Sequence, residues 1–380
     1  MDHFCCKYRV LTGSIFAGTA GLLGFSGYLA LLTCVTLLAV ALHYTTRWYQ
    51  AWFIAFIYFT CASHDLFLGI FNFTQGHWLL SVCLPVAANA LIALPFVCVP
   101  KFRCVGLVAA IILITIPPLG QIGWANPITA AGTLIPGLGF LSIGLFILAF
   151  CLIFIKPKFA FAIPIFSLLT LIIPIDPTTE NNHSIQPVQT SLGALMTAKL
   201  DYHLDYQVQS ELMQQPFHNV DFVVYPESAL GRISAPAVDR WQRYAMQINS
   251  GLIGGTERPL NDQALSNAMI YVDQSHFDVV YEARVNVPYF MQRNEPGFFR
   301  NQPGQGIFHL KGSRYGGLIC YEAFITWPML VTAFYNPQAM FIISNLWWAE
   351  HTRLVEILNM ISRAWQRTFN IPLYLSVNNP

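Results

Sequence analysis

Three residues in the second half of the chain are of types that could carry out covalent chemistry. Cys320 ends the run Gly316-Gly317-Leu318-Ile319, Glu227 follows the run Phe222-Val223-Val224-Tyr225, and Glu322 lies two residues beyond the cysteine. Both runs read as buried strands. The carboxyl ends of strands in α/β sheets are where ligands and catalytic groups gather. A carboxylate beside a thiol can act as general base and generate the thiolate that attacks a carbonyl carbon. Glu322 could supply a second acid. The competing reading of Cys320 is an inert thiol buried at a strand end.

The other cysteines narrow the choice. Eight of the nine, Cys5, Cys6, Cys34, Cys61, Cys83, Cys98, Cys104 and Cys151, lie in the first half. Cys320 has no partner in its own half, so a disulfide scaffold is excluded there. No CxxC pair accompanies it, and the histidines lack metal-ligand spacing, so neither a metal nor another cofactor is expected.

The elements that must position these groups alternate between β-rich runs and helical stretches from about His183 onward. Strands are expected at Ser184–Ser191, Asp221–Tyr225, Gly251–Gly255, Ala268–Val272, Val279–Val285, Ile307–Leu310, Tyr315–Cys320, Ala339–Asn345 and Leu373–Val377. Helices are expected at Leu200–Gln215, Ala235–Ser250, Trp327–Tyr335 and His351–Phe369. Such alternation favours helices packed on sheet faces. The polar run 176–183 reads as a linker between a first domain, 1–175, and a second, 184–380.

The first half is different in kind. Only 10% of the 380 residues are charged and 55% are hydrophobic, where soluble domains carry roughly 25% charged residues. Seven apolar stretches of about spanning length are expected, near 11–27, 29–44, 49–70, 77–98, 104–120, 132–155 and 159–175. The first two, short and Gly-rich, could instead form one re-entrant hairpin. With a cytoplasmic N-terminus, Lys7, Arg9, Arg47, Lys101, Arg103, Lys156 and Lys158 all fall on the inner side. The second domain is then outside, which in a bacterium with two membranes is the periplasm. Asp65 in the third stretch is a functional candidate or a carboxylate bonded to His64 or a neighbouring helix. The net charge of +1, with no basic run, argues against a nucleic-acid partner.

Several segments resemble a known family. Tyr225-Pro226-Glu227-Ser228-Ala229 resembles the glutamate motif of the nitrilase, or carbon–nitrogen hydrolase, superfamily. Ile319-Cys320-Tyr321-Glu322 resembles its nucleophile motif, and Ile343-Ser344-Asn345-Leu346-Trp347-Trp348 the loop after the next strand. Ala364 to Asn378 is similar to the helix and strand that follow. Joined to a multi-span first half, the combination resembles apolipoprotein N-acyltransferases. Residues 122–132 and 283–288 look closer to a branch of conjugal-transfer proteins. The resemblance implies a multi-span α-helical membrane domain followed by an α/β nitrilase-like αββα sandwich, in a bacterial inner membrane. It implies that Cys320 takes an acyl chain from phospholipid as a thioester. Glu227 would serve as base, and an amine such as a lipoprotein N-terminus would accept the chain. Tyr321, Asn345, Trp347 and Trp348 would line the substrate site.

The sequence departs from that pattern in two places. Ala283 occupies the position where the family has a catalytic lysine, with Arg284 next to it. Arg284 could donate to an oxyanion or form a salt bridge with Glu227 or Glu322. The acidic residue expected near Phe290-Met291 is also absent. The family's domain continues with further strands and a final membrane helix, whereas this sequence stops at Asn379-Pro380, so a C-terminal truncation is expected. Trp347 and Trp348 read either as a lipid-facing loop or as packing beneath the active-site loop. Glu350 and His351 read as residues of a helix N-terminus. Two functions compete: a membrane acyltransferase, and a catalytically degenerate membrane component acting in conjugation or envelope assembly.

Overall fold

The computed structural model describes residues 2–172, 183–197, 202–214, 217, 220–261, 264–287, 298–299 and 304–380. Most of the expected linker and the Phe290-Met291 segment lie outside these. The chain forms two compact units that do not divide at one point. The first is Met1–Pro177 with Phe324–Trp327 and His351–Asn370, and the second is the remainder.

The helical unit begins with α1 (Asp2–Gly24), α2 (Leu37–His43), α3 (Trp48–Ala62), α4 (His64–Phe73), α5 (Trp78–Ala93) and α6 (Val99–Thr115). It continues with α7 (Ala131–Leu134), α8 (Phe140–Ile155) and α9 (Ile163–Ile172), with 3-10 turns at several junctions. In place of seven expected spans, one apolar helical stretch among the described residues, Trp78–Thr115, is long enough to cross a membrane. A second qualifies if α3 and α4, bent by 55°, count as one. Shorter apolar helical stretches lie at Leu29–His43, Phe140–Ile155 and Pro157–Ile172. The Trp78–Thr115 stretch is itself not straight. In a continuous helix, residues 98 and 106 would be about 12 Å apart along the axis. Here a Cβ on Gly106 would lie 2.7 Å from the Cys98 carbonyl oxygen, and Arg103 has φ +50°. The chain doubles back beside Lys101 and Arg103, where the sequence reading placed a loop.

The second unit opens with β1 (Ile185–Pro187), β2 (Gln189–Thr190), α10 (Tyr202–Leu212), β3 (Phe222–Val224) and α11 (Ala235–Ile248). Next come β4 (Gly251–Asn261), β5 (Ala264–Val272), β6 (Phe277–Glu282), β7 (Phe298–Phe299), β8 (Ile307–Leu310) and β9 (Ser313–Ile319). The last elements are α12 (Thr326–Phe334), β10 (Ala339–Asn345), α13 (Leu354–Phe369) and β11 (Leu373–Asn378).

The strands form two sheets. One has the order β1-β3-β4-β5-β6, with β7 beside β5, and the other the order β2-β11-β10-β9-β8. Pairing is parallel through β1, β3 and β4 and through β2, β11, β10 and β9. The single strand expected at Ser184–Ser191 is two: β1 joins one sheet, β2 the other, and Val188 between them bonds to β3.

Alternation along the strands assigns the faces. Phe222, Val224, Met269, Tyr281, Tyr315, Ile319, Phe341 and Ile343 form a shared core between the sheets. Val223, Tyr225, Leu252 and Ile270 point the other way, onto Trp241, Tyr244 and Ala245 of α11 and Val208 and Leu212 of α10. β11 is flanked by β10 along its length and by β2 at its C-terminal end, so that end is not an open edge.

α13 packs within the helical unit although β10 precedes it and β11 follows it. Asp65 Oδ2 accepts from the backbone N–H of Arg353 at 3.2 Å, and His64 Nε2 is 3.5 Å from the same carboxylate. Asp65 therefore has the local bonding considered for it, as a cap on the first turn of α13. At the other end, the Arg367 side chain donates to the carbonyls of Gly132 and Thr170. Gly132 is required there, because a Cβ would lie 2.2 Å from the Ala364 oxygen.

Candidate active site

Glu227 and Cys320 meet between the sheets, just past the ends of β3 and β9. Cys320, and Ser228 beside Glu227, sit in backbone conformations that ordinary residues rarely adopt. Cys320 has φ +49° and Ser228, next to Glu227, has φ +65°. Such geometry costs free energy of order 1 kcal/mol or more and recurs at functional sites. At Cys320 it turns the chain from β9 into a single 3-10 turn, Cys320–Ala323. Gly255 of β4 lets Glu227 approach, since a Cβ there would be 2.5 Å from the Glu227 Cα.

Cys320 and Glu227 are both buried, and the thiol is hydrogen-bonded to the carboxylate. Burial first, and the Glu227 charge second, push the thiol well above its usual range, opposed by the backbone N–H groups of Asn345 and Tyr321. The resting thiol is therefore protonated, with its proton shared toward a base. The Asn345 N–H donates to Glu227 Oε2 at 2.9 Å. The Asn267 side-chain amide donates to Glu227 Oε1. Asn345 is steadied by Asn378, whose amide donates to Asn345 Oδ1 at 2.8 Å, while its own oxygen accepts from Thr190 Oγ1.

Glu322 is in a different environment. It is fully buried, and its carboxylate accepts from the backbone N–H groups of Ile319 (3.0 Å), Arg284 (2.8 Å) and Val285 (3.2 Å) and from the Tyr281 hydroxyl. Arg284 Nε lies 3.5 Å from Glu322 Oε1 and donates to the Tyr281 hydroxyl, and Nη2 donates to Pro328 O and Thr332 Oγ1. Of the arrangements open to Arg284, the salt bridge to Glu322 is the one present. Among the described residues, its guanidinium makes no hydrogen bond to Cys320 or Glu227. Burial pushes the Glu322 carboxyl upward against the pull of Arg284 and the N–H donors. Glu322 thus ties the Cys320 turn to the segment after β6.

The other expected site residues lie near in the chain. Tyr321 is in the Cys320 turn, and Trp347 and Trp348 form the turn after Asn345, both half-buried. Ala283, at the position expected to carry lysine, is packed in the core with Cys320 and Tyr281. Lys311 stands over the Phe222 ring, at the start of β3 rather than its end. Lys199 lies outside the described residues. Asn267, Tyr281 and Thr332 are functional-site residues that sequence reasoning missed. Period-two alternation through β5 would have placed Asn267 on the inner face with Met269, but a β-bulge in β6 turns Tyr281 inward against the alternation set by Phe277 and Val279, and nothing in sequence marked either residue as a partner of a glutamate. Among the described residues, no group of three His, Cys, Asp or Glu is placed to hold a metal ion.

No protein-family model matches the chain. Solved structures similar to it include a CN-hydrolase superfamily protein of Xanthomonas campestris, at 13% identity and a TM-score of 0.38, covering 52% of this chain and 76% of that one. A nitrilase superfamily member of Saccharomyces cerevisiae is 14% identical, with a TM-score of 0.37, covering 52% of this chain and 75% of that one. The Agrobacterium fabrum conjugal transfer protein TraB is 27% identical over 98% of this chain and 93% of its own length. A probable conjugal transfer protein TraB of Sinorhizobium fredii is 28% identical over 99% of both chains. The chain is thus similar, over nearly its whole length, to proteins named for conjugal transfer, and the solved structures similar to it include nitrilase superfamily members.

Proposed function

We propose that the protein is a membrane-bound acyltransferase that carries its acyl group as a thioester on Cys320. The observation that supports this reading best is the buried thiol hydrogen-bonded to the Glu227 carboxylate, at the ends of strands from two facing sheets. In the first step the sulfur bonds to the ester carbonyl carbon of a phospholipid acyl chain. The thiol proton passes to Glu227, and the departing alkoxide takes it as the carbon–oxygen bond breaks. In the second step an amine, such as a lipoprotein N-terminus, attacks the thioester. Its proton moves through Glu227 to the departing sulfur. In this reading the backbone N–H of Tyr321, which interacts with the sulfur, stabilises the oxyanion.

The apolar helical unit is the proposed anchor in a bacterial inner membrane. It crosses several times, with the second unit on the periplasmic side, as the distribution of Lys and Arg favours. In this reading the chemistry serves conjugal transfer, which the names of the relatives support. Ala283 in place of lysine favours one other reading, a catalytically degenerate component of the same apparatus. Intact-protein mass spectrometry after incubation with phospholipid separates the two. The acyltransferase gives a hydroxylamine-labile acyl adduct on the wild type and none on Cys320→Ala. Absence of the adduct with phospholipid bound refutes it.

A further inference from the structure

We infer that Asn267 is a positioning residue for the base: its neutral side-chain amide holds the Glu227 carboxylate against Cys320 in a site that has alanine where a cation is expected. The inference rests on the reading of Cys320 as nucleophile and Glu227 as base.

Three observations carry it. Asn267 and Glu227 are each about 5% exposed, so a bond between them is formed in place of water. The amide donates to Oε1 while the Asn345 N–H donates to Oε2, so each carboxylate oxygen is gripped from a different sheet. Asn267 is itself fixed, because its carbonyl accepts from the Ala283 N–H at 2.8 Å. The residue at the expected lysine position thus anchors the donor through its backbone.

Cys320 is a titratable group in contact with Glu227. Around it stand Glu257, the cross-strand partner of Asn267, Glu282 in its pair with Arg258, Tyr321, and Glu322 in its pair with Arg284. The side chain that donates to Glu227 Oε1 is the neutral amide of Asn267, and a donor to the charged form favours the carboxylate that can accept the thiol proton. Without it, a buried carboxylate retains its proton to higher pH and the thiol loses its base.

The test is the rate at which iodoacetamide alkylates Cys320 in the full chain in detergent, followed by peptide mapping across mildly acidic to alkaline pH. Asn267→Leu is expected to slow the reaction about tenfold at neutral pH and to move the acid side of the profile up by about one unit. Asn267→Asp keeps the size of the side chain and sets a second carboxylate beside the first, so it moves the profile the same way. If both variants retain the wild-type profile, or lose rate equally at every pH, the inference is overturned. If wild type reacts no faster than Glu227→Gln, the reading of Glu227 as base fails and takes the inference with it. If Glu227→Gln is slow and the Asn267 variants are not, only the inference falls.

Discussion

Replacing Arg284 by methionine should destabilise the second unit, and by an amount that depends on pH. The Arg284 and Glu322 side chains are 8% and 0% exposed, so solvent screens their pair little. At 3.5 Å with an effective dielectric near 20, their attraction is roughly 5 kcal/mol. Breaking a buried pair from one side costs about 3–5 kcal/mol. Glu322 keeps the backbone donors of Ile319, Arg284 and Val285, since these survive the substitution, and so the lower end, about 3 kcal/mol, is expected. For a domain of this size that lowers the melting temperature by roughly 6–12 °C. Burial has already raised the Glu322 carboxyl in the folded state, and loss of the guanidinium raises it further. A carboxyl whose folded value lies above its unfolded value, about 4.3, loses stability as pH rises through the window between them. The deficit of the variant should therefore be small in acid and full at neutral pH. Thermal unfolding in detergent, followed by circular dichroism at several pH values, measures it. Glu322→Gln in the variant background should recover part of the loss. A deficit under about 1 kcal/mol at neutral pH, or one that does not change with pH, refutes the assignment of Glu322 as an ionised clamp.

Three further outcomes follow from the same contacts. Gly255→Ala puts a methyl group 2.5 Å from the Glu227 Cα, and should cost about 1–3 kcal/mol and slow alkylation of Cys320, measured together by thermal unfolding and iodoacetamide labelling. Asp65→Ala removes the acceptor for the Arg353 N–H and should destabilise α13 by about 1 kcal/mol, seen as faster amide exchange in its first turn. Thr332→Val deletes an acceptor 2.8 Å from Arg284 Nη2 and should cost about 1 kcal/mol by thermal unfolding, with a smaller loss in Arg284→Met, where only the hydroxyl's bond to Pro328 O remains to be lost.

The strands that carry the site were legible because burial on both faces leaves a continuous apolar signature. Ala339–Asn345 was expected and found with the same limits, and Cys320 and Glu227, expected at the ends of their strands, lie just past them. The division of Ser184–Ser191 was not legible. Its alternation fits either sheet, and the switch at Val188 depends on which neighbour each half meets. Nor was the membership of α13, whose strongly amphipathic sequence reads as a helix packed on a sheet. Its capping partner Asp65 lies 288 residues away, and no local pattern announces such a pair.

The two glutamates illustrate the same limit in the site itself. In sequence Glu227 read as the base and Glu322 as a second acid, one before the thiol and one after it. In the structure their partners divide the work. Glu322 has a guanidinium, a phenol and three backbone donors, which saturate its oxygens. Glu227 has neutral donors on its two oxygens and a thiol between the sheets. An acid that must move a proton is better served by partners that do not fix its charge, and one that must hold a turn by partners that do. Arg284 stands next to the position where lysine was expected, so sequence made it the natural substitute. Its side chain instead satisfies the clamp, and the base is left to two amides. If the site works as proposed, its thioester chemistry relies on burial and hydrogen bonding to control the proton, and its rate should follow Asn267 more closely than any cationic residue of the second unit.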